Sequence, residues 1–241
     1  MTITVGINGF GRIRRCTLAH ISESLRNDVT VTKINATGPI ETAAHLMRYD
    51  SVHGRFGHPI TVEGTTLDLG RGPIDVMSTY DMGALDWEGV DVVLECTGAF
   101  NDGAKASAHL DRGAGKVLIS APAKNVDRTI VYGVNDRLLK ADDRMISNGS
   151  CTTNCLAPVA NALHDAIGID SGLMTTIHAY TGDQPTLDRN HKDLHRARAA
   201  APRCACTRAP GTAPRRPRRP AGKPALQPRE ACAGRRPGKR R

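Results

Sequence analysis

The first 35 residues constrain the fold most. A β-branched run over 2–7 leads into Gly6-Ile7-Asn8-Gly9-Phe10-Gly11-Arg12, a helical stretch follows from 13 to about 25, and a second strand covers 29–35. Strand, glycine turn, helix and strand at this spacing make a βαβ unit of the size that half of a dinucleotide-binding sheet needs.

The alternation continues. Residues 41–49 read as a helix, 60–69 as a hairpin around Gly64, and 91–96 as a buried strand that stops at Thr97-Gly98. A helix is expected over 101–112, strands over 116–120 and 129–135, and a short strand over 145–148 that feeds a helix from 152 to about 166. Strands alternating with helices predict an α/β fold with a doubly wound, mostly parallel sheet.

The pattern stops at Ala201. Residues 202–241 hold eleven Arg, two Lys and one Glu, a net +12 against +9 for the whole chain, which leaves −3 for residues 1–201. Eight of the fourteen prolines lie in this tail, and Leu226 is its one large aliphatic residue. Such a segment cannot bury enough surface to offset its ordering entropy, so disorder is expected. An argument for nucleic acid from net charge would concern these forty residues alone.

Cys16, Cys96, Cys151 and Cys155 precede the tail, at spacings of neither a disulfide framework nor a metal site. A reducing cytoplasm is expected. No run of about 18 apolar residues predicts a membrane span, and Met1 leads almost directly into a strand, with no signal peptide expected.

Two constellations carry chemistry. In the first, Gly9-Phe10-Gly11 lies between strand and helix, where glycines let the backbone approach a pyrophosphate at the helix N-terminus. An ordinary strand-to-helix turn is the competing reading. The third glycine position of the fingerprint holds Arg14. The second strand ends Lys33-Ile34-Asn35-Ala36-Thr37, with no carboxylate for the adenosine ribose. Nothing there would repel a 2′-phosphate, so NADP is expected to be accepted as well as NAD.

The second constellation is Ser147-Asn148-Gly149-Ser150-Cys151-Thr152-Thr153-Asn154-Cys155, ahead of an apolar pattern at Leu156, Val159, Ala160, Leu163 and Ile167. It places Cys151 at a helix start, where unpaired N–H groups and the helix dipole favour a thiolate. A buried small hydrophobe is the alternative. The helix runs about 22 Å, and a strand over 173–179 would return about 23 Å. An antiparallel return brings His178 level with Cys151 as its base, although a core histidine is the plainer reading of His178 alone. Ser150, Thr152 and Thr153 read equally as helix-terminal donors and as phosphate ligands, and Cys155 reads as a packing residue. The other eight histidines, His109 among them, lack ligand spacing and read as surface or core residues. Cys204-Ala205-Cys206 is too isolated to make a metal site.

These segments resemble the phosphorylating glyceraldehyde-3-phosphate dehydrogenases of bacteria. The resemblance is carried by Gly6-Ile7-Asn8-Gly9-Phe10-Gly11-Arg12-Ile13, Tyr49-Asp50-Ser51-Val52-His53-Gly54-Arg55-Phe56, Glu95-Cys96-Thr97-Gly98, Ser120-Ala121-Pro122, the run from Ser147 to Cys155, His178-Ala179-Tyr180-Thr181-Gly182-Asp183-Gln184 and Arg196-Ala197-Arg198-Ala199-Ala200-Ala201. It implies a Rossmann NAD(P)-binding domain over 1–150, the first part of an incomplete α+β catalytic domain over 151–201, and a basic tail over 202–241. It implies Cys151 as nucleophile and His178 as base. Phe10, Gly11, Arg12, Ile13, Thr97 and Ser120 would contact the cofactor. Ser150 and Thr152 would bind the attacking phosphate, and Thr181 the phosphate of glyceraldehyde 3-phosphate. A homotetramer and a cytoplasmic place in glycolysis or gluconeogenesis are implied too.

Past Ala201 the resemblance ends, and the switch to Arg, Pro, Ala and Gly is what a changed reading frame in a GC-rich gene produces. Made as written, the polypeptide is expected to catalyse poorly and to assemble poorly. Two rival readings are an erythrose-4-phosphate dehydrogenase and a nucleotide-binding fragment whose tail, through Arg215-Arg216-Pro217-Arg218-Arg219, binds nucleic acid without specificity.

Overall fold

The computed structural model describes residues 2–182. The chain divides into two units, Met1–Asp170 and Ser171–Arg241. The expectations about 183–201 and the basic tail lie outside the described residues.

In the first unit, β1 (Ile3–Asn8), α1 (Arg12–Glu23) and β2 (Val29–Asn35) form the expected βαβ opening. The strands pair in parallel, with Asn8 opposite Asn35 at their C-terminal ends. After α2 (Ile40–Arg48), a small hairpin of β3 (Tyr49–Asp50) and β4 (Gly54–Arg55) is held by Asp50, which accepts from the N–H groups of Val52 and His53, both at 2.8 Å. The expected hairpin around Gly64 is β5 (Thr61–Glu63) and β6 (Thr66–Asp68). β7 (Pro73–Met77) was not expected from the sequence. Pairing on both sides, antiparallel to β6 and parallel to β2, makes the strand.

The chain then crosses to the far side of β1. There it forms β8 (Val92–Glu95), α3 (Gly103–Ala106), α4 (Ala108–Asp111), β9 (Lys116–Ile119), β10 (Arg128–Thr129), β11 (Met145–Ser147) and α5 (Cys151–Ile167). The nine-stranded sheet runs β10-β11-β9-β8-β1-β2-β7-β6-β5. Its pairs are parallel except β5 with β6 and β6 with β7. This is the doubly wound, mostly parallel Rossmann-like sheet expected.

Ile7, Leu18, Ile34 and Leu67 lie in the largest core cluster, Trp87 and Val93 in a second, and Val117 and Ile119 in a third. Apolar runs without alternation suit parallel strands that are covered on both faces. The chain turns from one side of β1 to the other between β2 and β8. Such a switch opens a crevice at the C-terminal strand ends.

Three local expectations are corrected. The helix expected over 101–112 is two short helices, because Ser107 Oγ donates to the Ala104 carbonyl at 2.9 Å and tightens the turn between them. The strand expected over 129–135 ends at Thr129. Asn135 takes the backbone groups that a ladder would use: its Oδ1 accepts from the Val131 N–H at 2.7 Å, and its Nδ2 donates to the Thr129 carbonyl at 3.0 Å. Residues 173–179, expected as a strand, have no regular structure. A strand exists through a ladder partner, and among the described residues none pairs with this segment.

Candidate functional site

A cavity of about 440 Å³ opens at the switch. Its lining comes from the C-terminal ends of four parallel strands: Asn8 to Gly11 after β1, Asn35 and Thr37 after β2, Thr79 to Met82 after β7, and Cys96 and Thr97 after β8. Gly9 has φ +80°, and a Cβ there would meet Thr97 Cγ2 at 2.7 Å. The loop therefore needs glycine at this point both for its backbone conformation and for its close approach to β8. Gly11 precedes α1, and no side chain caps that helix. Its first N–H groups are open to an anion in the way a dinucleotide pyrophosphate uses them.

Phe10, Gly11 and Thr97 line the cavity, whereas Arg12, Ile13 and Ser120 do not. Arg12 instead pairs with Asp50 at 2.8 Å and ties the β3–β4 hairpin to the start of α1. The hydrogen bond from Arg12, with those from His53 and Val52, holds the Asp50 carboxyl below its ordinary pKa. Ile13 is exposed. The Ser120 N–H donates to the Glu95 carbonyl at 2.9 Å, and its hydroxyl bonds the Cys96 thiol, whose pKa burial pushes up.

Beneath the cavity runs a buried polar network that sequence reasoning missed. Asn35 Nδ2 donates to Asn8 Oδ1 at 2.8 Å, and Asn8 Nδ2 donates to Glu95 Oε2 at 2.6 Å. Glu95 Oε1 accepts from the Thr97 N–H at 2.6 Å and from its hydroxyl at 2.5 Å. His109 Nε2 lies 3.0 Å from Glu95 Oε2, and Trp87 Nε1 donates to His109 Nδ1 at 2.9 Å. An indole N–H can only donate, so Nδ1 accepts and the ring proton sits on Nε2, facing Glu95. Burial alone would raise the Glu95 pKa; the bonds from His109, Thr97 and Asn8 outweigh it and hold the carboxyl below its ordinary value. The network fixes Thr97 on one wall and Asn35 on the other. Asn35 in turn holds Thr79 through Nδ2 to its carbonyl and Oδ1 from its N–H, each at 3.0 Å. The available signal was polar residues closing apolar strands, Asn8 in β1 and Glu95 in β8. Nothing local marked His109, a core histidine here.

Arg14, at the third glycine position, turns inward. It is 2% exposed and lines the cavity. Burial pulls its pKa down to about 10, so the guanidinium remains charged at neutral pH.

Cys151 is the first residue of α5 and is exposed. Ser150 is the N-cap: its Oγ accepts from the Thr153 N–H at 3.0 Å and lies 2.7 Å from Thr153 Oγ1. The loop before it is pinned. The Asn148 N–H donates to the Ile119 carbonyl at 2.9 Å, and Asn154 Nδ2 donates to the Asn148 carbonyl at 2.6 Å. Asn154 is a positioning residue that the sequence reading passed over. Thr152 is half-buried. Cys155, read as a packing residue, is exposed, because α5 buries none of its residues.

His178 belongs to the second unit, as does Thr181. His178 Nδ1 lies 2.5 Å from the Ala179 carbonyl. A carbonyl only accepts, so the ring proton sits on Nδ1 and the basic lone pair on Nε2. With no strand over 173–179, the length argument that levelled His178 with Cys151 no longer applies.

The family profile described as glyceraldehyde 3-phosphate dehydrogenase, NAD binding domain, matches residues 3–103, and that of the C-terminal domain of the same family matches 150–210. The chain is 61% identical over 201 residues to the glyceraldehyde-3-phosphate dehydrogenase of Cereibacter sphaeroides, an alignment that covers 83% of this chain and 60% of that protein. It is 59% identical over 203 residues to the enzyme of that name from Xanthobacter flavus, with 83% and 61% covered. A chromosomal glyceraldehyde-3-phosphate dehydrogenase of Cupriavidus necator is 52% identical over 204 residues, with the same two shares covered. The chain thus spans about 60% of the length of the relatives it matches. An NAD-binding sheet whose cleft is walled by Phe10, Gly11 and Thr97 and the matches to both halves of one family give one answer: the chain belongs to the glyceraldehyde-3-phosphate dehydrogenase family.

Proposed function

We propose that the chain descends from an enzyme that oxidises the aldehyde of glyceraldehyde 3-phosphate with NAD and inorganic phosphate, and that it keeps the cofactor-binding and thiol-bearing parts of that machinery. The observation that carries the reading is Cys151 at position one of a seventeen-residue helix with Ser150 as its cap. The helix terminus stabilises the thiolate, and the N–H groups of its first turn face developing negative charge.

The chemistry divides among named groups. Cys151 Sγ attacks the aldehyde carbon, and a C–S bond forms. His178 Nε2 takes the proton of the resulting hydroxyl as carbon loses hydride. Bound in the cleft, the nicotinamide supplies the hydride acceptor. A phosphate oxygen then attacks the thioester carbon, the C–S bond breaks, and the electron pair returns to Sγ. Thr181 binds the phosphate of the substrate. Thr152 and Ser150 bind the attacking phosphate, Ser150 by exchanging Thr153 for the new partner. Arg12, Ile13 and Ser120 join Phe10, Gly11 and Thr97 around the cofactor.

Residues 1–150 form the cofactor domain and 151–201 the first part of the catalytic domain. Homotetramer assembly and a cytoplasmic location belong to the same proposal. No helix among the described residues is long and apolar enough to cross a membrane.

The test is trapping. Full-length chain mixed with NAD and glyceraldehyde 3-phosphate, without phosphate, is digested and analysed by mass spectrometry. An acyl group on the Cys151 peptide, absent from the C151S variant, supports the proposal. No adduct, or an adduct that C151S retains, rejects it. Steady turnover is expected to be very low.

A further inference from the structure

The guanidinium of Arg14 is the least satisfied group of the cleft. Among the described residues its hydrogen bonding is one long contact, Nη1 to the Asn35 carbonyl at 3.4 Å, and its Nε has no partner. No carboxylate among them pairs with it. Glu95 acts on it through space, but both Glu95 oxygens are engaged by Asn8, Thr97 and His109. A guanidinium offers five donors, and a buried charge left without partners is strongly unfavourable. The side chain is therefore open to a partner that the described residues do not provide.

Its position says which one. Cβ of a helical residue tilts toward the helix N-terminus, here toward the C-terminal ends of β1 and β2. The two terminal nitrogens lie against Gly9, at the end of β1, and Nη1 faces the Asn35 carbonyl at the end of β2. In a sheet of this kind the adenosine ribose sits at the end of β2, where a carboxylate holds a free 2′-hydroxyl. Ala36 and Thr37 stand there instead. Asp81 is the one acid among the residues lining the cavity, and its Oδ1 accepts from the Gly83 N–H at 2.8 Å. Repulsion is removed and a buried cation is added on the same side of the cleft.

We infer that Arg14 is a phosphate-binding residue of the cleft and that it selects dinucleotides carrying a 2′-phosphate on the adenosine ribose. This rests on the cofactor-cleft reading above. A guanidinium–phosphate contact is bidentate and charge-assisted, so its removal changes affinity by about tenfold or more.

The experiment titrates the full chain calorimetrically with ADP-ribose and with its 2′-phosphorylated form, probes that need no catalytic half. The phosphorylated probe is expected to bind about tenfold more tightly. R14M, which keeps the volume and removes the charge, should lose that difference and leave ADP-ribose within about threefold. A36D, which restores an acid at the end of β2, should reverse the preference. R14G, with the usual glycine, serves as a second variant, and thermal melts establish that each protein is folded. Equal loss for both probes in R14M would place the contact on the pyrophosphate and overturn the selectivity. A gain for both would make Arg14 a plug and overturn the inference entirely. A folded wild-type chain that binds neither probe rejects the cofactor cleft itself, a result distinct from any change of ratio.

Discussion

Helix α1 has twelve residues and buries Arg14, Leu18 and Ser22 against the sheet; helix α5 has seventeen and buries none. Both follow a short parallel strand and a glycine-containing loop. The difference is the layer that receives them. All buried hydrophobic residues among the described ones lie between Val5 and Met145. The apolar positions of α5, Leu156, Val159, Leu163 and Ile167, are all exposed, Ile167 by 80%. An amphipathic pattern declares a face that requires cover, and the cover is supplied by residues distant in sequence. The chain carries a nine-stranded sheet covered on both faces of its core and a helix whose apolar face has no second layer among the described residues.

The largest test of this contrast lies in the buried network. His109→Ala leaves the Trp87 N–H without its partner, takes one bond from the buried Glu95 carboxylate and opens a cavity, so a loss of about 2–4 kcal/mol is expected. Urea unfolding followed by the fluorescence of Trp87, the only tryptophan, reads it. A loss under about 1 kcal/mol would show that the network does not hold the sheet.

The same network sets the acid limit. Burial opposes ionisation of Glu95, the bonds from His109, Thr97 and Asn8 prevail, and its folded pKa lies below the ordinary one. Its stabilisation is therefore fully present above the unfolded value of about 4.3 and is lost as pH falls through the folded value. Urea midpoints should fall on that acid side, and less steeply in Glu95→Gln. Parallel profiles for the two proteins would count against Glu95 as the titrating group.

A smaller effect is expected at the cap. Ser150→Ala removes the acceptor for the Thr153 N–H and should cost about 1 kcal/mol, read as earlier loss of helix signal. The smallest is on the bare face of α5. Leu163→Ala should change stability by less than about 0.5 kcal/mol, although a buried leucine would cost about 2–5 kcal/mol. A large loss there would mean that this face is covered in solution and would erase the contrast with α1.

Much of the cleft, and the separate helix start at Cys151, was legible because local chemistry writes it. Gly9 and Gly11 mark the turn, Thr97 follows a strand, and Cys151 follows an N-cap serine. Those signals depend on residues within a few positions of one another. β7 and the early end of β10 were not legible in the same way. Pairing with β2 and β6 makes β7, and the amide of Asn135 replaces a ladder beyond Thr129. The expectation that residues 173–179 form a strand failed for the same reason, since propensity cannot supply the neighbour that a strand bonds to.

The sequence by itself determined the βαβ opening, the missing carboxylate at Ala36-Thr37, the helix start at Cys151 and the family to which these belong. Only the tertiary structure decided that Arg14 points into the cleft, that Glu95, His109 and Trp87 form one buried chain beneath it, and that α5 buries no residue. The physical reason is range. Turns, caps and periodicity are fixed by neighbours along the chain, whereas the direction of a long side chain and the burial of a face depend on what arrives from elsewhere.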